Sequence, residues 1–165
     1  MATVHSKPSS ISDHTWDAFV ASLHRVWEYA PDFSPNGPIN LSCRTILVVD
    51  SKLVHNDQIS ERLKRLGSLT ISVDSIHDAY KSIEVQNFDM VVISTDLLDE
   101  DAIHFIQTVC DTSSTLNMPI IMLTNDERPE MVWKARKAGV KFYLRKPYDP
   151  YVLLTLISAA LEPSE

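Results

Sequence analysis

Four polar side chains stand at the ends of short apolar runs in this sequence. Asp50 ends "RTILVVD", Ser94 ends "DMVVIS", Thr124 ends "MPIIMLT" and Lys146 ends "VKFYLRK". Apolar runs that stop abruptly at polar residues are typical of buried parallel strands, and α/β proteins keep their sites at the carboxyl edge of such strands. An acid, two hydroxyls and an ammonium at one edge could form a polar pocket, although each of them alone could equally cap a strand end.

The segments around these residues alternate between strand and helix patterns. Five strand and helix pairs with short connections predict a doubly wound α/β fold with a five-stranded parallel sheet, because parallel strands need helical crossovers. The expected strand order is 2-1-3-4-5, as in flavodoxin-like folds. Gly67 and Gly139 each follow a predicted helix, where glycine is the usual C-terminal cap.

The composition excludes several classes of protein. The chain has 165 residues, 44% of them hydrophobic, and a formal charge of -7, which argues against direct nucleic-acid binding and favours protein partners. No apolar run approaches the length of a membrane span, and the first residues lack the hydrophobic core of a signal peptide. Cys43 and Cys110 have neither metal-ligand nor disulfide spacing. We therefore expect a cytoplasmic protein.

An N-terminal extension precedes the alternating segments. Residues 31–42 contain Pro31, Pro35 and Pro38 and predict a linker. Residues 1–30 contain one amphipathic helix, from about Asp13 to Tyr29, whose apolar stripe consists of Trp16, Phe19, Val20, Leu23, Val26 and Trp27. Two interpretations stay open: the stripe packs on its own domain, or it is a docking or dimerisation surface anchored by its tryptophans.

Several motifs in register resemble the receiver domain of bacterial response regulators, the CheY-like domain of two-component signalling, over residues 43–162. "ILVVD" resembles the first strand of that family with its acidic pocket, and "PIIMLT" resembles the fourth strand with its hydroxyl residue. "AGVKFYLRKP" resembles the fifth strand, with its lysine and a cis-prone Lys-Pro bond. Thr124 and Lys146 lie where the family places them relative to its phosphoacceptor, and Tyr143 matches its switch aromatic.

Two positions depart from the family. Ser94 stands where the resemblance places the phosphorylatable aspartate, and Ser51 stands at the second acid of the metal-binding pair, so that Asp50 alone is kept. In the family the acids hold Mg²⁺, a hard ion that prefers carboxylate oxygens, and phosphoryl transfer depends on it. A serine hydroxyl must also lose a proton before it can attack. The resemblance therefore implies a degenerate pseudo-receiver without a catalytic residue, bound metal or other cofactor.

The altered pocket is expected to be closed by its own side chains. Lys146, which contacts the acceptor carboxylate in the family, is expected to turn to Asp50, with the hydroxyls of Ser94 and Thr124 between them. Three alternatives stay open: residual cation binding near Asp96, modification of Ser94 or Thr95 by a serine/threonine kinase, and binding of a small anion at Lys146.

Three functions are compatible with these features. The first is a non-catalytic signalling module that binds partner proteins independently of aspartyl phosphorylation. The second is a phosphoacceptor in a two-component relay that uses a non-standard residue such as Asp96, which the retained Thr124 and Tyr143 favour slightly. The third is a sensor for a small ligand at the altered pocket.

The last predicted helix has no charged residue from Tyr151 to Leu161. Leu153, Leu154, Ile157 and Leu161 suit an inner face, which leaves Val152, Leu156 and Ala160 outside. An exposed apolar strip usually marks a contact, and the resemblance implies binding or dimerisation through this region. We expect the stripe of Trp16, Phe19, Leu23 and Trp27 to cover this outer face, within one chain or across a homodimer.

Overall fold

The computed structural model of the chain describes residues 12, 39–50, 53–96, 99–112, 115 and 117–161, without the side chains of residues 53–58. The helix expected between Asp13 and Tyr29, with its tryptophan stripe, lies outside these residues, as do Ser51 and residues 31–38 of the expected linker.

Five parallel strands form one sheet. They are β1 (Thr45–Asp50), β2 (Leu69–Val73), β3 (Met90–Thr95), β4 (Ile120–Thr124) and β5 (Phe142–Arg145). The strand order is β2-β1-β3-β4-β5 and every pairing is parallel, which confirms the order predicted from the sequence.

The helices that connect these strands have local signals for their ends. They are α1 (Leu53–Arg65), α2 (Ile76–Val85), α3 (Glu100–Asp111), α4 (Pro129–Ala138) and α5 (Pro150–Leu161). The side chain of Ser75 accepts a hydrogen bond from the backbone N–H of Asp78 at the start of α2, and Asp99 does the same for Ala102 in α3. Gly139 ends α4 with a φ of 123°, a conformation that favours glycine.

The core consists of two apolar clusters, one on each face of the sheet. Alternate residues of β1 point to opposite faces: Leu47 and Val49 join the cluster beneath α2, α3 and α4, whereas Ile46 and Val48 join the cluster beneath α1 and α5. Because both faces are covered, the central strands β1, β3 and β4 are apolar in their interior and carry polar residues only at their ends, whereas the edge strand β2 also contains Thr70 and Ser72.

The orientation of α5 differs from the one expected. Leu156 is 8% exposed and Ala160 is 6% exposed, and both belong to the core cluster together with Leu153 and Ile157. The expectation that Leu156 and Ala160 lie outside was therefore wrong. The buried side follows the i, i+3, i+4, i+7 spacing from Leu153, and Leu154 lies only partly buried at its edge.

The packed domain begins before β1. Leu41 is buried in the core, and its backbone N–H donates to the carbonyl of Leu66 over 2.9 Å. Ile39 is partly buried against the same cluster. Ile39 and Leu41, at the end of the expected linker, therefore pack on the domain. Among the described helices, none is long and apolar enough to cross a membrane.

Candidate functional site

The strand ends bring the expected polar residues to one edge of the sheet. Asp50 and Ser94 are direct partners in the pairing of β1 with β3, and Thr124 pairs with Thr95. β3 continues one residue beyond Ser94, and β5 ends one residue before Lys146, whose backbone N–H donates to the carbonyl of Thr124 over 3.0 Å. Parallel pairing thus places these side chains around one point.

Three of the residues at this edge are shielded from water. Asp50, Ser94 and Thr124 are all buried, and Ser94 is 3% exposed. Within the described part of the chain, the Oγ of Ser94 is buried and has no hydrogen-bond partner. Such a hydroxyl is uncommon because leaving it without a partner costs free energy, so each case requires an explanation.

Lys146 pairs with Asp96 rather than with the expected Asp50. Its Nζ lies 3.5 Å from Oδ1 of Asp96, and the Nδ2 of Asn125 donates to the same oxygen over 3.1 Å. The side chains of Lys146 and Asp96 are 16% and 37% exposed. A strongly hydrated ammonium keeps contact with water beside Asp96, whereas pairing with the buried Asp50 would remove more of its hydration.

Thr124 and Tyr143 are linked through the loop that follows β4. The Oγ1 of Thr124 accepts from the backbone N–H of Asp126 over 3.0 Å, and the hydroxyl of Tyr143 donates to the carbonyl of Asp126 over 2.5 Å. Tyr143 is buried, and this burial, followed by the negative charge of Asp126, raises the pKa of its phenol. The loop is therefore tied to both β4 and β5.

Sequence reasoning missed an ion pair in this loop between the buried Asp126 and the half-exposed Arg128. The carboxylate of Asp126 is buried and accepts from Nε of Arg128 over 2.9 Å and from its second guanidinium nitrogen over 2.6 Å. The backbone N–H of Arg128 donates to the same carboxylate over 3.1 Å, and the carboxylate raises the pKa of Arg128. An aspartate two residues before an arginine, in the loop that follows a strand, was the available signal.

Two cavities adjoin the strand ends, and Ser94 and Asp96 line both. The first has a volume of about 500 Å³ and is lined by Ile59, Arg62, Ser94, Asp96, Asn125, Lys146, Pro147, Tyr148, Pro150 and Leu153. The second has a volume of about 570 Å³ and is lined by Val49, Asp74, Ser75, Ile76, His77, Ile93, Ser94, Thr95, Asp96, Asp99, Asp101 and Ala102.

The described residues do not fit the magnesium site that the resemblance implies. Among them, no group of three or more histidine, cysteine, aspartate or glutamate side chains is placed to hold a metal ion. Ser94 contributes a hydroxyl where a carboxylate would be needed, and Mg²⁺ binds carboxylate oxygens in preference. The neighbouring Lys146-Pro147 peptide bond is cis, as the resemblance implied.

Comparisons with known proteins agree with this architecture. The chain is 31% identical to a chemotaxis protein CheY homolog of Campylobacter jejuni over 66% of its own length and 85% of the relative. It is 24% identical to the phosphate regulon transcriptional regulatory protein PhoB of Pseudomonas aeruginosa, covering 72% of this chain and about half, 52%, of the relative.

A solved structure matches the fold of this chain, and a family model matches its sequence. A CheY-like response regulator receiver domain protein from Methanospirillum hungatei superposes with a TM-score of 0.66 at 23% identity, covering 73% of this chain and 94% of that one. The model of the response regulator receiver domain family matches residues 46–158. With a parallel sheet in the 2-1-3-4-5 order and polar strand ends grouped at one edge, the chain belongs to the response regulator receiver domain family.

Proposed function

We propose that this chain is a pseudo-receiver, a non-catalytic signalling module that binds partner proteins without aspartyl phosphorylation. The observation that carries the proposal is Ser94, which stands in register with Asp50 where the family has its phosphoacceptor. Receiver domains generally act as signalling modules rather than enzymes, and they work through other proteins. The formal charge of -7 and the predicted cytoplasmic location are compatible with protein partners in a two-component pathway.

The surroundings of Ser94 support this proposal. Its hydroxyl has no hydrogen-bond partner among the described residues and so contacts no general base there, and a serine hydroxyl needs such a base before it can attack a phosphoryl donor. The described residues offer no three-ligand group for the metal ion on which phosphoryl transfer depends. Both features lower the expected rate of transfer to this position.

Intact mass after incubation with acetyl phosphate and Mg²⁺ tests the proposal. We expect the mass of the natural chain to stay unchanged. A variant with Ser51→Asp and Ser94→Asp restores the two missing carboxylates and is the matched control, which we expect to gain one phosphoryl group. A phosphoryl adduct on the natural chain under the same conditions would overturn the proposal.

Magnesium binding provides a second measurement. A ligand that binds only the folded state raises the melting temperature by mass action, so millimolar Mg²⁺ is expected to leave the melting temperature of the natural chain almost unchanged. The same titration is expected to stabilise the variant with Ser51→Asp and Ser94→Asp. A saturable rise for the natural chain would show that the metal site is intact.

A second candidate function is favoured by the contact between Lys146 and Asp96. In the family this lysine contacts the acceptor carboxylate, and here it lies 3.5 Å from the partly exposed carboxylate of Asp96. Asp96 is then the acceptor to test. If acetyl phosphate modifies the natural chain, Asp96→Asn abolishes the adduct under this alternative, whereas Asp99→Asn, a nearby aspartate, leaves it in place.

A further inference from the structure

The first cavity has the size and the lining of a small-molecule site. Its volume of about 500 Å³ falls within the roughly 300–1,000 Å³ typical of ligand pockets. Its apolar lining residues, termed the apolar wall, are Ile59, Pro147, Tyr148, Pro150 and Leu153. The remaining lining is polar and includes side chains from α1, from the ends of β3 and β4, and from the segment after β5. An apolar wall with a few convergent polar groups favours an amphipathic ligand.

The hydroxyl of Ser94 provides an independent sign of a ligand. It lines the cavity, it is buried, and in the described part of the chain it has no hydrogen-bond partner. A buried hydroxyl without a partner costs about 1–3 kcal/mol, which a bound acceptor would offset. The hydroxyl can donate one hydrogen bond to an anionic oxygen.

The charged residues that line the cavity indicate the sign of the charge that a ligand would carry. Arg62 and Lys146 are cationic, and Asp96 is the acidic residue among the described lining residues. The carboxylate of Asp96 lies beside Lys146, whereas Arg62 makes no ion pair with any described residue. Among the described lining residues one positive charge is therefore left over, which suits a monoanion better than a dianion.

Tyr148 lines the cavity together with the cationic Arg62 and Lys146. Burial raises the pKa of its phenol, the negative charge of Asp50 acts in the same direction, and Arg62 acts against it. The ring therefore stays neutral near physiological pH and can pack against an apolar group. Asp50 itself is buried and is not among the lining residues.

We propose that this cavity binds a small organic monocarboxylate with an apolar body. The carboxylate lies among Arg62, Lys146 and the hydroxyl of Ser94, and the apolar body packs against Tyr148 and Leu153. Inorganic phosphate would leave the apolar wall without a contact and would bring a second negative charge towards Asp96. The site is independent of the proposed pseudo-receiver function, since partner binding without phosphorylation can occur with or without such a ligand.

Titration with phenylacetate, followed by calorimetry and by amide chemical shifts, tests this site. We expect saturable binding with a dissociation constant in the millimolar range or tighter, and shift changes centred on Ser94, Asn125 and Tyr148. Phenylacetamide keeps the ring but lacks the charge, and acetate keeps the charge but lacks the ring. Both are expected to bind roughly tenfold more weakly than phenylacetate, a difference of about 1.4 kcal/mol.

Variants separate the proposed contacts from general charge effects. Arg62→Gln and Lys146→Met are each expected to weaken phenylacetate binding several-fold. Arg65→Gln, which removes the same charge from the same helix outside the lining, is expected to leave binding unchanged. Because Arg62 is exposed, Arg62→Gln is expected to fold normally, so the test stands even if Lys146→Met proves unstable.

Several results would overturn the assignment. They are absence of saturable binding, equal affinity for phenylacetamide, equal weakening by Arg65→Gln, and shift changes that map away from the cavity. The acetyl phosphate experiment does not depend on any of these outcomes, so failure of the ligand site and failure of the proposed function remain distinguishable.

Discussion

The ammonium of Lys146 forms its ion pair with Asp96, and not with Asp50. The sequence placed Asp50, Ser94, Thr124 and Lys146 at one sheet edge, because strand ends follow directly from the apolar runs before them. The sequence alone could not predict which carboxylate pairs with Lys146, because this depends on how exposed to water each nearby carboxylate is in the folded protein. The pair of Asp126 and Arg128 was missed for a related reason: its burial depends on how the loop folds back over β4 and β5.

A double-mutant cycle measures the pair of Lys146 and Asp96. The two side chains are partly exposed, so we expect Lys146→Met and Asp96→Asn to couple by only about 0.2–1 kcal/mol in chemical denaturation. The cycle of Lys146→Met with Asp50→Asn serves as the comparison. A clearly larger coupling in that second cycle would show that Lys146 pairs with Asp50 in solution.

Tyr143 is expected to make the protein less stable at alkaline pH. Its pKa is raised from the ordinary 10.0, mainly by burial, so the fold favours the protonated phenol. The protonated phenol therefore adds to the free energy of unfolding. This stabilisation is fully present below pH 10 and is lost as the pH rises through the folded-state pKa. Tyr143→Phe should flatten the alkaline decline measured by urea denaturation, while costing about 1 kcal/mol at neutral pH through the lost hydrogen bond. An unchanged alkaline slope would contradict this assignment.

At the scale of elements, the sequence was most informative where the apolar period was unambiguous. The order of strands and helices followed from apolar runs separated by capped helices, and Gly139 marked the end of α4. The rotation of α5 did not follow, because apolar residues occur around most of this helix and two different stripes satisfy helical spacing. Only the packing of Leu156 and Ala160 in the core cluster shows which of the two stripes faces the sheet.

Alanine substitutions in α5 test the observed rotation. Leu156→Ala removes a buried side chain from the core and is expected to lower the free energy of unfolding by about 2–5 kcal/mol. Val152→Ala removes a partly buried side chain and is expected to cost less than about 1 kcal/mol. Thermal or chemical denaturation of both variants provides the comparison. A cost for Leu156→Ala as small as that for Val152→Ala would support the rotation first expected from the sequence, in which both side chains lie outside.

At the scale of the whole molecule, the surface that the predicted N-terminal helix contacts stays a prediction, because that helix lies outside the described residues. Val152, Leu154 and Leu161 of α5 are partly buried beside the core cluster that α5 shares with α1. The stripe of Trp16, Phe19, Leu23 and Trp27 remains our proposed cover for this side, in the same chain or in a homodimer. Charge and composition could predict protein partners, but no pattern within one chain identifies the surface that a separate helix contacts.

Deletion of residues 1–38 tests this cover and keeps Ile39 and Leu41, which pack on the domain. We expect the shortened chain to bind more hydrophobic dye and to change in mass by light scattering, because an apolar surface becomes exposed. Full-length chain with Trp16→Ala and Trp27→Ala is the matched variant and should show the same direction of change. Unchanged dye binding, stability and mass would identify the N-terminal segment as an arm for another partner.

The close approach of α3 and α4 has a consequence for thiol chemistry. A side chain on Gly139 would overlap the sulfur of Cys110, and burial raises the pKa of this thiol, followed by the effect of Asp111. The thiolate is the nucleophile that attacks an alkylating reagent, so the partly buried Cys110, whose pKa is raised, is expected to react more slowly than the exposed Cys43. An increase in the labelling rate of Cys110 relative to Cys43 therefore reports loosening of the contact between α3 and α4, without any introduced cysteine.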